Sequence, residues 1–274
     1  MKLRTQKTLL FPILSILAGL LIGTVIILIS GENPLKIYYH MLFQPFTSVV
    51  NILNIFYVMT PLMIVGLAFI VANSAGMINI GLEGQLLLGS FTAAYVGTLL
   101  PSTPRFIYVF LIMICSAAVA AAWAFIPGIL KLKFGASDIV TCIMLNYVAQ
   151  LFINYIISSG IFKHPTIDQR TPYILPNAHI KNLSEIGREH GTNIFRGVQL
   201  NCMFIVGLAL AILVHIMITK TKWGYKMRAV GLNPNATTAN RLNTKKIMLL
   251  SMCLSGAIAG IAATGEILGT FNGY

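Results

Sequence analysis

The sequence has 274 residues, of which 57% are hydrophobic and only 9% are charged, whereas soluble domains average about 25% charged residues. This composition excludes an ordinary water-soluble globular protein and indicates a polytopic membrane protein. The formal net charge of +12 does not indicate a nucleic-acid partner, because membrane topology explains the placement of the basic residues better.

Apolar runs of about 20 residues, long enough to cross a bilayer as helices, recur along the chain. Seven spans are predicted, at roughly 9–30, 47–72, 84–100, 106–130, 138–159, 198–218 and 247–268. The first run is longer than the apolar core of a cleaved signal peptide, so we expect it to remain as a span. The predicted fold is all-α: a single transmembrane helical bundle, residues 1–274, with a broken or re-entrant segment near residues 73–85.

The basic residues form three clusters, which lie before the first span, after the fourth span and between the sixth and seventh spans. Because even numbers of crossings separate the clusters, all three are predicted on one side of the membrane, with 12 of the 19 Lys and Arg residues. The positive-inside rule makes that side the cytoplasm. The N-terminus and loop 219–246 are therefore predicted inside, and loop 161–197 outside.

The stretch NSAGMINIGLEGQ, residues 73–85, interrupts the apolar pattern between the second and third spans. Its three glycines weaken a helix, and broken helices near the membrane midplane are a recurring way to bind polar solutes. Asn79, Glu83 and Gln85 are therefore candidates to line a polar path. The alternative is a tight cytoplasmic turn, in which Glu83 favours the N-terminus of the third span through the helix dipole.

Two further acids, Asp138 and Glu266, lie near predicted span ends, where reaching the interface or capping a helix would lower the cost of a carboxylate. Asp138 begins a polar stripe in which Asn146, Gln150 and Asn154 share one helical face. Such a face either lines a water-filled passage or makes hydrogen bonds between helices. The sequence leaves both interpretations open.

The stretch GLNPNATTANRL places Asn233 at an N-cap and Pro234 at the first helical position. This pattern predicts a short helix over residues 234–242. That helix either docks a partner on the cytoplasmic face or only connects two spans.

Signatures of nucleotide-binding loops, zinc proteases and serine hydrolases are missing from the sequence. The four cysteines have neither metal-type nor redox-type spacing. The chain is therefore predicted not to be an enzyme and to hold no metal or cofactor. Transport powered by ATP would need an ATPase on another chain.

Three segments together resemble the permease subunits of bacterial ABC importers, in the branch that carries nucleosides and simple sugars. They are NSAGMINIGLEGQ (73–85), SDIVTCIMLNYVAQ (137–150) and GYKMRAVGLNPNATTANRLNTKKIMLLSMCLSGAIAGIAATGEILG (224–269). The resemblance implies a multi-pass protein of the bacterial cytoplasmic membrane. It also implies three partners: a second permease, the same or paralogous, an ABC ATPase subunit and an extracytoplasmic substrate-binding lipoprotein.

The resemblance also implies roles for particular residues. It gives the break a part in the substrate path, at Asn79, Gly81, Glu83, Gly84 and Gln85, to which the polar stripe adds Asp138, Asn146 and Gln150. It turns loop 219–246 into the element that couples to the ATPase, through Arg228, Ala229, Gly231, Asn233, Pro234 and Ala236. Two departures stand out. Asn240 and Arg241 replace the usual Ala-Gly pair, and the chain stops at Tyr274, where relatives continue with further spans, which suggests a fragment or a shortened permease.

A competing hypothesis is an ion- or proton-coupled secondary transporter that uses Glu83, Asp138 or Glu266 as its titrating group. A membrane scaffold without transport is a third, weaker hypothesis. Dependence of uptake on a partner ATPase, together with insensitivity to collapse of the proton gradient, distinguishes the first hypothesis from the second.

Overall fold

The computed structural model describes residues 2–162, 170–192 and 195–271, and side chains for 11–162, 170–192 and 195–269. Within these ranges the only β-structure is an isolated bridge between Asn182 and Asn201, and the predicted all-α class is confirmed. The side chains of the N-terminal basic cluster, and residues 163–169 of the predicted outer loop, lie outside the described residues. Contacts divide the chain into two compact units, Met1–Ile55 and Phe56–Tyr274.

The helices are α1 (Lys2–Ile29), α2 (Pro34–Phe43), α3 (Val49–Asn73), α4 (Leu82–Val96), α5 (Arg105–Phe134), α6 (Asp138–Ser158), α7 (Leu183–Glu189), α8 (Met203–Lys220), α9 (Lys222–Leu232), α10 (Pro234–Ala239) and α11 (Thr244–Glu266). A 3-10 turn, Gln44–Phe46, follows α2, and a π-helical turn, Ile267–Phe271, follows α11. In the described ranges six helices are long and apolar enough to cross a membrane: α1, α3, α5, α6, α8 and α11. The third predicted span is α4, which has only 15 residues.

The first unit is an apolar helix with a second helix folded back onto it. The segment Phe11–Ile29 of α1 is strongly apolar and has no buried residues. The Tyr38 hydroxyl on α2 donates to the Leu20 carbonyl oxygen at 2.7 Å and lies 3.2 Å from the Thr24 hydroxyl. Because its apolar side chains are exposed all round, this unit has the surface of a lipid-facing span.

The core of the second unit is the packing of α11 against α5 and α4. A Cβ added at Gly256 would come within 2.5 Å of the Ala124 Cβ, and one at Gly260 within 2.5 Å of the Ser116 carbonyl oxygen. A Cβ at Gly89 of α4 would lie 3.1 Å from the Gly260 Cα. Small residues therefore let three helix backbones meet at this point.

α4 joins the two ends of the second unit, although it is shorter than a full span. It begins beside α9, at what we call the α9 end, where the Lys131 ammonium donates to the Gly76 carbonyl oxygen. It finishes at the opposite end, where the Gly97 carbonyl oxygen accepts from the Leu175 N–H at 2.9 Å. Lys131 and the α9–α10 loop thus lie at one end and residues 171–180 at the other, as the predicted topology requires within this unit.

Candidate functional site

The predicted break in the helical pattern is present as the non-helical residues 74–81, between α3 and α4. α3 stops because Gly76 takes a left-handed conformation, with φ of +75°, which glycine adopts without steric cost. The Met77 N–H then donates to the Ala72 carbonyl oxygen at 3.2 Å and closes the turn. The break therefore has a defined geometry, fixed by its own backbone.

Two amide side chains form a buried pair at the centre of the break. Asn79 is fully buried and Gln85 is 1% exposed, and each amide nitrogen donates to the other's oxygen at 3.0 Å. Asn79 also donates to the Ser255 hydroxyl of α11 at 2.8 Å and accepts from the Gly81 N–H at 3.1 Å. These hydrogen bonds satisfy the polar groups, so in this conformation the pair fastens the start of α4 to α11 and faces no open path.

A carboxylate from α6 holds the other side of the break. Asp138 accepts from the Ile78 N–H at 2.9 Å and from the Lys131 ammonium of α5 at 2.5 Å. Its side chain is only 10% exposed. Asp138 stands in the first turn of α6, where the helix dipole also favours an acid. The geometry therefore gives Asp138 a positioning role at the junction of α5, α6 and the break.

Asn146, two turns further along α6, forms hydrogen bonds with the end of the break and the first turn of α4. Its amide oxygen accepts from the Gly84 N–H at 2.9 Å, and its amide nitrogen donates to the Ile80 carbonyl oxygen at 3.2 Å. The same nitrogen lies 3.5 Å from the Glu83 carboxylate. A Cβ at Gly84 would come within 2.9 Å of the Asn146 amide oxygen, which explains why glycine stands there.

The exposed polar groups near the break are fewer than the sequence predicted. Glu83 is exposed at the start of α4, and Gln150 and Asn154 are exposed on α6. Gln150 lies one turn beyond Asn146 and is not brought into the buried pair. In this conformation, a solute or another chain could reach these three side chains.

The third candidate acid, Glu266, is placed at the opposite end of the second unit. The Tyr57 hydroxyl donates to its carboxylate at 3.2 Å, in a small pocket that Asn201 also lines. Glu266 is therefore separate from the break, and the three acids considered for ion coupling do not form one cluster.

The short helix predicted in the α9–α11 loop is confirmed as α10, Pro234–Ala239, three residues shorter than expected. The Asn233 side chain accepts from the Ala236 N–H at 3.0 Å and caps the helix, with Pro234 at the first position. The Thr237 hydroxyl donates to the Ala229 carbonyl oxygen at 3.0 Å. α9 and α10 are thus tied into one folded hairpin.

α10 ends early because Arg241 takes a left-handed conformation, with φ of 60°. The Arg241 N–H donates to the Thr238 carbonyl oxygen at 3.0 Å, and the Leu242 N–H to that of Thr237 at 3.3 Å. This is a Schellman termination, whose left-handed position usually holds glycine. The departure from the family's Ala-Gly pair therefore places a non-glycine residue where the backbone favours glycine.

The end of α9 packs directly on the break. A Cβ at Gly231 would come within 2.5 Å of the Ser74 carbonyl oxygen and 3.2 Å of the Gly76 nitrogen. A Cβ at Gly76 would in turn lie 3.4 Å from the Gly231 Cα. The sequence predicted a coupling role for Gly231 towards a partner, but its Cβ direction points into the chain. The α9–α10 hairpin and the break are therefore in backbone contact.

Sequence reasoning missed two residues of this site. The positive-inside rule accounts for Lys131 in the sequence, although an acid seven residues later, Asp138, could have suggested an ion pair across the α5–α6 turn. Ser255 carried no signal, because it lies 176 residues from the Asn79 that binds it. Contacts of that separation cannot be read from a single sequence.

Known proteins resemble this chain over most of its length. Residues 51–273 match the protein family described as branched-chain amino acid transport system / permease component. The chain is 36% identical over 266 residues to the guanosine ABC transporter permease protein of Bacillus subtilis, covering 96% of this chain and 73% of that protein. It is 33% identical to the nucleoside ABC transporter permease protein of Lactococcus lactis subsp. cremoris, covering 94% and 70%. It is 27% identical to the glucose ABC transporter permease protein of Haloferax volcanii, covering 94% and 68%. No solved structure matches the chain.

Proposed function

The chain belongs to the family of branched-chain amino acid transport system permease components, and on that premise we propose that it forms the translocation path of an ATP-driven importer for nucleosides or simple sugars. It is a multi-pass membrane protein and a transport subunit. Nucleosides are the first candidate, since the guanosine and nucleoside permeases are more similar to it than the glucose permease.

The observation that carries the proposal is the contact between the α9–α10 hairpin and the break. Gly231 meets Ser74 and Gly76 through backbone atoms, and the buried Asn79–Gln85 pair follows a few residues later. A displacement of the hairpin would therefore reach the start of α4 without an intervening flexible segment. Such a connection suits a permease whose path is opened by a separate motor.

The orientation and the partners follow from the same arrangement. We assign the α9 end to the cytoplasm because the basic residues of loop 219–246 and Lys131 lie there. The exposed tip, Asn233 to Ala239, would then enter a groove of an ABC ATPase subunit. Residues 171–192 at the opposite end would receive a substrate-binding lipoprotein.

The exposed polar face suggests where the solute passes. Glu83 is exposed at the start of α4, and Gln150 and Asn154 are exposed on α6, a helix long enough to span the membrane. Polar groups at membrane depth are costly against lipid and usually face a cavity or another chain. We therefore place the path between this face and a second permease, either a copy of this chain or a paralogue.

Uptake measurements in cells test this function. Accumulation of radiolabelled guanosine, with glucose as the second probe, should require both this chain and the ATPase encoded with it. It should persist when an ionophore collapses the proton gradient while cellular ATP is maintained. Uptake that survives loss of the ATPase but fails with the ionophore would instead support an ion-coupled carrier, a function that no contact of Glu83, Asp138 or Glu266 specifically favours.

A further inference from the structure

A second polar pocket, separate from the break, lies in the elbow between α8 and α9. We call it the elbow pocket. It has a volume of about 500 Å³ and is lined by Thr219, Lys220, Thr221, Lys222, Tyr225, Lys226, Arg228 and Leu242. Four of its eight lining residues are basic and three carry hydroxyl groups, so its chemistry differs from that of every other surface described above.

Within the described part of the chain, no acid forms an ion pair with the basic residues of the elbow pocket. No Asp or Glu occurs in the sequence between Glu189 and Glu266. In the described part of the chain, the ion pairs involve other basic residues. Four exposed cations around one pocket repel each other, so an anion bound among them would be favoured.

The elbow is a rigid feature of the fold. A Cβ at Gly224 would come within 2.1 Å of the Met217 carbonyl oxygen, so only glycine lets α9 turn back against the last turn of α8. The Thr221 hydroxyl accepts from the Gly224 N–H at 3.0 Å and caps α9. The first turn of α9 therefore points the positive end of its dipole into the elbow.

α9 has one buried face and one basic face. Gly224, Met227 and Val230 are buried against the core of the second unit, while Lys222 and Lys226 are exposed. This division is typical of a helix that lies in the interface of a membrane. The basic face of α9 is the face that lines the elbow pocket.

The composition of the adjoining helix indicates that the elbow pocket lies near the membrane surface. Lys220 is the last residue of α8, a helix whose composition fits a membrane span, and Lys222 begins α9 two residues later. Tyr225, 65% exposed, supplies the kind of aromatic side chain that is enriched at membrane interfaces. An occupant of the pocket would therefore meet the bilayer surface.

We propose that the elbow pocket binds the phosphate headgroup of an anionic phospholipid. The phosphate would sit among Lys220, Lys222 and Lys226, with hydroxyl donors from Thr219 and Tyr225. The acyl chains would continue along the apolar surface of α8. An acidic surface of a partner protein is the rival occupant. The pocket adjoins the end of α8, however, whereas a protein partner is proposed to bind α10, elsewhere on the same loop.

Binding of soluble lipids to the purified full-length chain tests the proposal. The chain has two tryptophans, so Trp123→Phe leaves Trp223, beside the pocket, as the fluorescence reporter. In detergent, dihexanoyl phosphatidylglycerol should change its emission at concentrations at least about tenfold lower than dihexanoyl phosphatidylcholine or inorganic phosphate. Each basic side chain near a membrane surface contributes about fivefold to such binding.

Two triple variants with equal charge loss complete the design. Lys220→Gln/Lys222→Gln/Lys226→Gln should abolish the preference for phosphatidylglycerol, whereas Arg241→Gln/Lys245→Gln/Lys246→Gln, on the same loop but outside the pocket, should keep it. Lys226→Gln alone should weaken binding about fivefold, which gives a reading if the first triple variant does not fold. Equal binding of the two lipids, binding of inorganic phosphate as tight as that of phosphatidylglycerol, or equal losses in both triple variants would overturn the proposal. The proposal would also be overturned if the first triple variant kept its preference for phosphatidylglycerol but no longer co-purified with the ATPase subunit. That result would assign the pocket to a protein partner.

Discussion

A Cβ added at Gly231 would lie only 2.5 Å from the Ser74 carbonyl oxygen. Gly231 is the penultimate residue of α9, the helix before α10. Ser74 is the first residue of the break, which precedes α4. The two backbones are in direct contact here, so any side chain at position 231 would have to separate them. This contact is the structural basis for the first prediction.

Gly231→Ala should lower nucleoside uptake strongly while leaving the chain in the membrane. The added methyl must displace the break or the end of α9, a steric cost of about 1–3 kcal/mol. The matched control is Gly66→Ala on α3, where a Cβ would meet nothing within 4 Å. Uptake per membrane-inserted molecule should fall in the first variant and stay unchanged in the second; equal uptake in both would remove the mechanical role of the contact.

Ala236→Trp should disturb the docking of the ATPase without disturbing the permease itself. Ala236 is exposed on α10, so the indole should project outward. Co-purification of the ATPase subunit should weaken, while the unfolding temperature of the permease alone stays within the error of the wild type. A tight complex with normal uptake would show that α10 is only a connector.

Glu83→Ala should mainly reduce uptake, whereas Asn79→Ala should mainly reduce folding stability. Glu83 is exposed, so its loss should reduce uptake more than protein level. Asn79 is fully buried and bonded to Gln85 and Ser255, so its loss leaves buried partners unsatisfied and should cost about 1–3 kcal/mol of folding stability. Uptake and thermal unfolding, measured on both variants, check this division; matching losses of level and uptake for Glu83→Ala would favour a structural role there.

Arg241→Gly should stabilise the protein by up to about 1 kcal/mol, because glycine adopts the left-handed conformation that Arg241 holds with φ of 60°. Asn240→Gly is the control, since Asn240 has φ of −80° and should gain nothing. Thermal unfolding in detergent is the measurement. A lower unfolding temperature for Arg241→Gly would mean that the guanidinium makes a contact worth more than the backbone strain.

A cysteine placed at Asn235 should react with an impermeant thiol reagent only after the membrane is opened, and one at Arg188 should react in intact cells. Both positions are exposed and belong to opposite ends of the second unit. The native cysteines are replaced by serine in this background. Labelling of the Asn235 position in intact cells would contradict the proposed orientation and place the α9 end outside the cell.

The sequence predicted those features that depend on local chemistry. The apolar runs and the cap formed by Asn233 and Pro234 are both present in the structure. Each rests on residues within a few positions of one another, so periodicity and capping preferences suffice to find it.

The features that the sequence could not supply depend on contacts between distant segments. Asn79 was expected in a polar path but is buried, because Ser255 and Gln85 satisfy its amide. The third span was expected at roughly 84–100, but α4 ends at Val96 and has only 15 residues. Burial of a polar side chain depends on what packs over it, which one sequence does not reveal.

We propose that ATP hydrolysis on a partner chain drives solute through this permease. The most direct measurement is guanosine accumulation in proteoliposomes that contain this chain, its second permease, the ATPase and the binding protein, with ATP supplied or withheld on the ATPase side. Accumulation is expected only with ATP, and ATP hydrolysis with little accumulation is expected when Gly231→Ala replaces the wild type. Accumulation driven by an imposed proton gradient without ATP would contradict it.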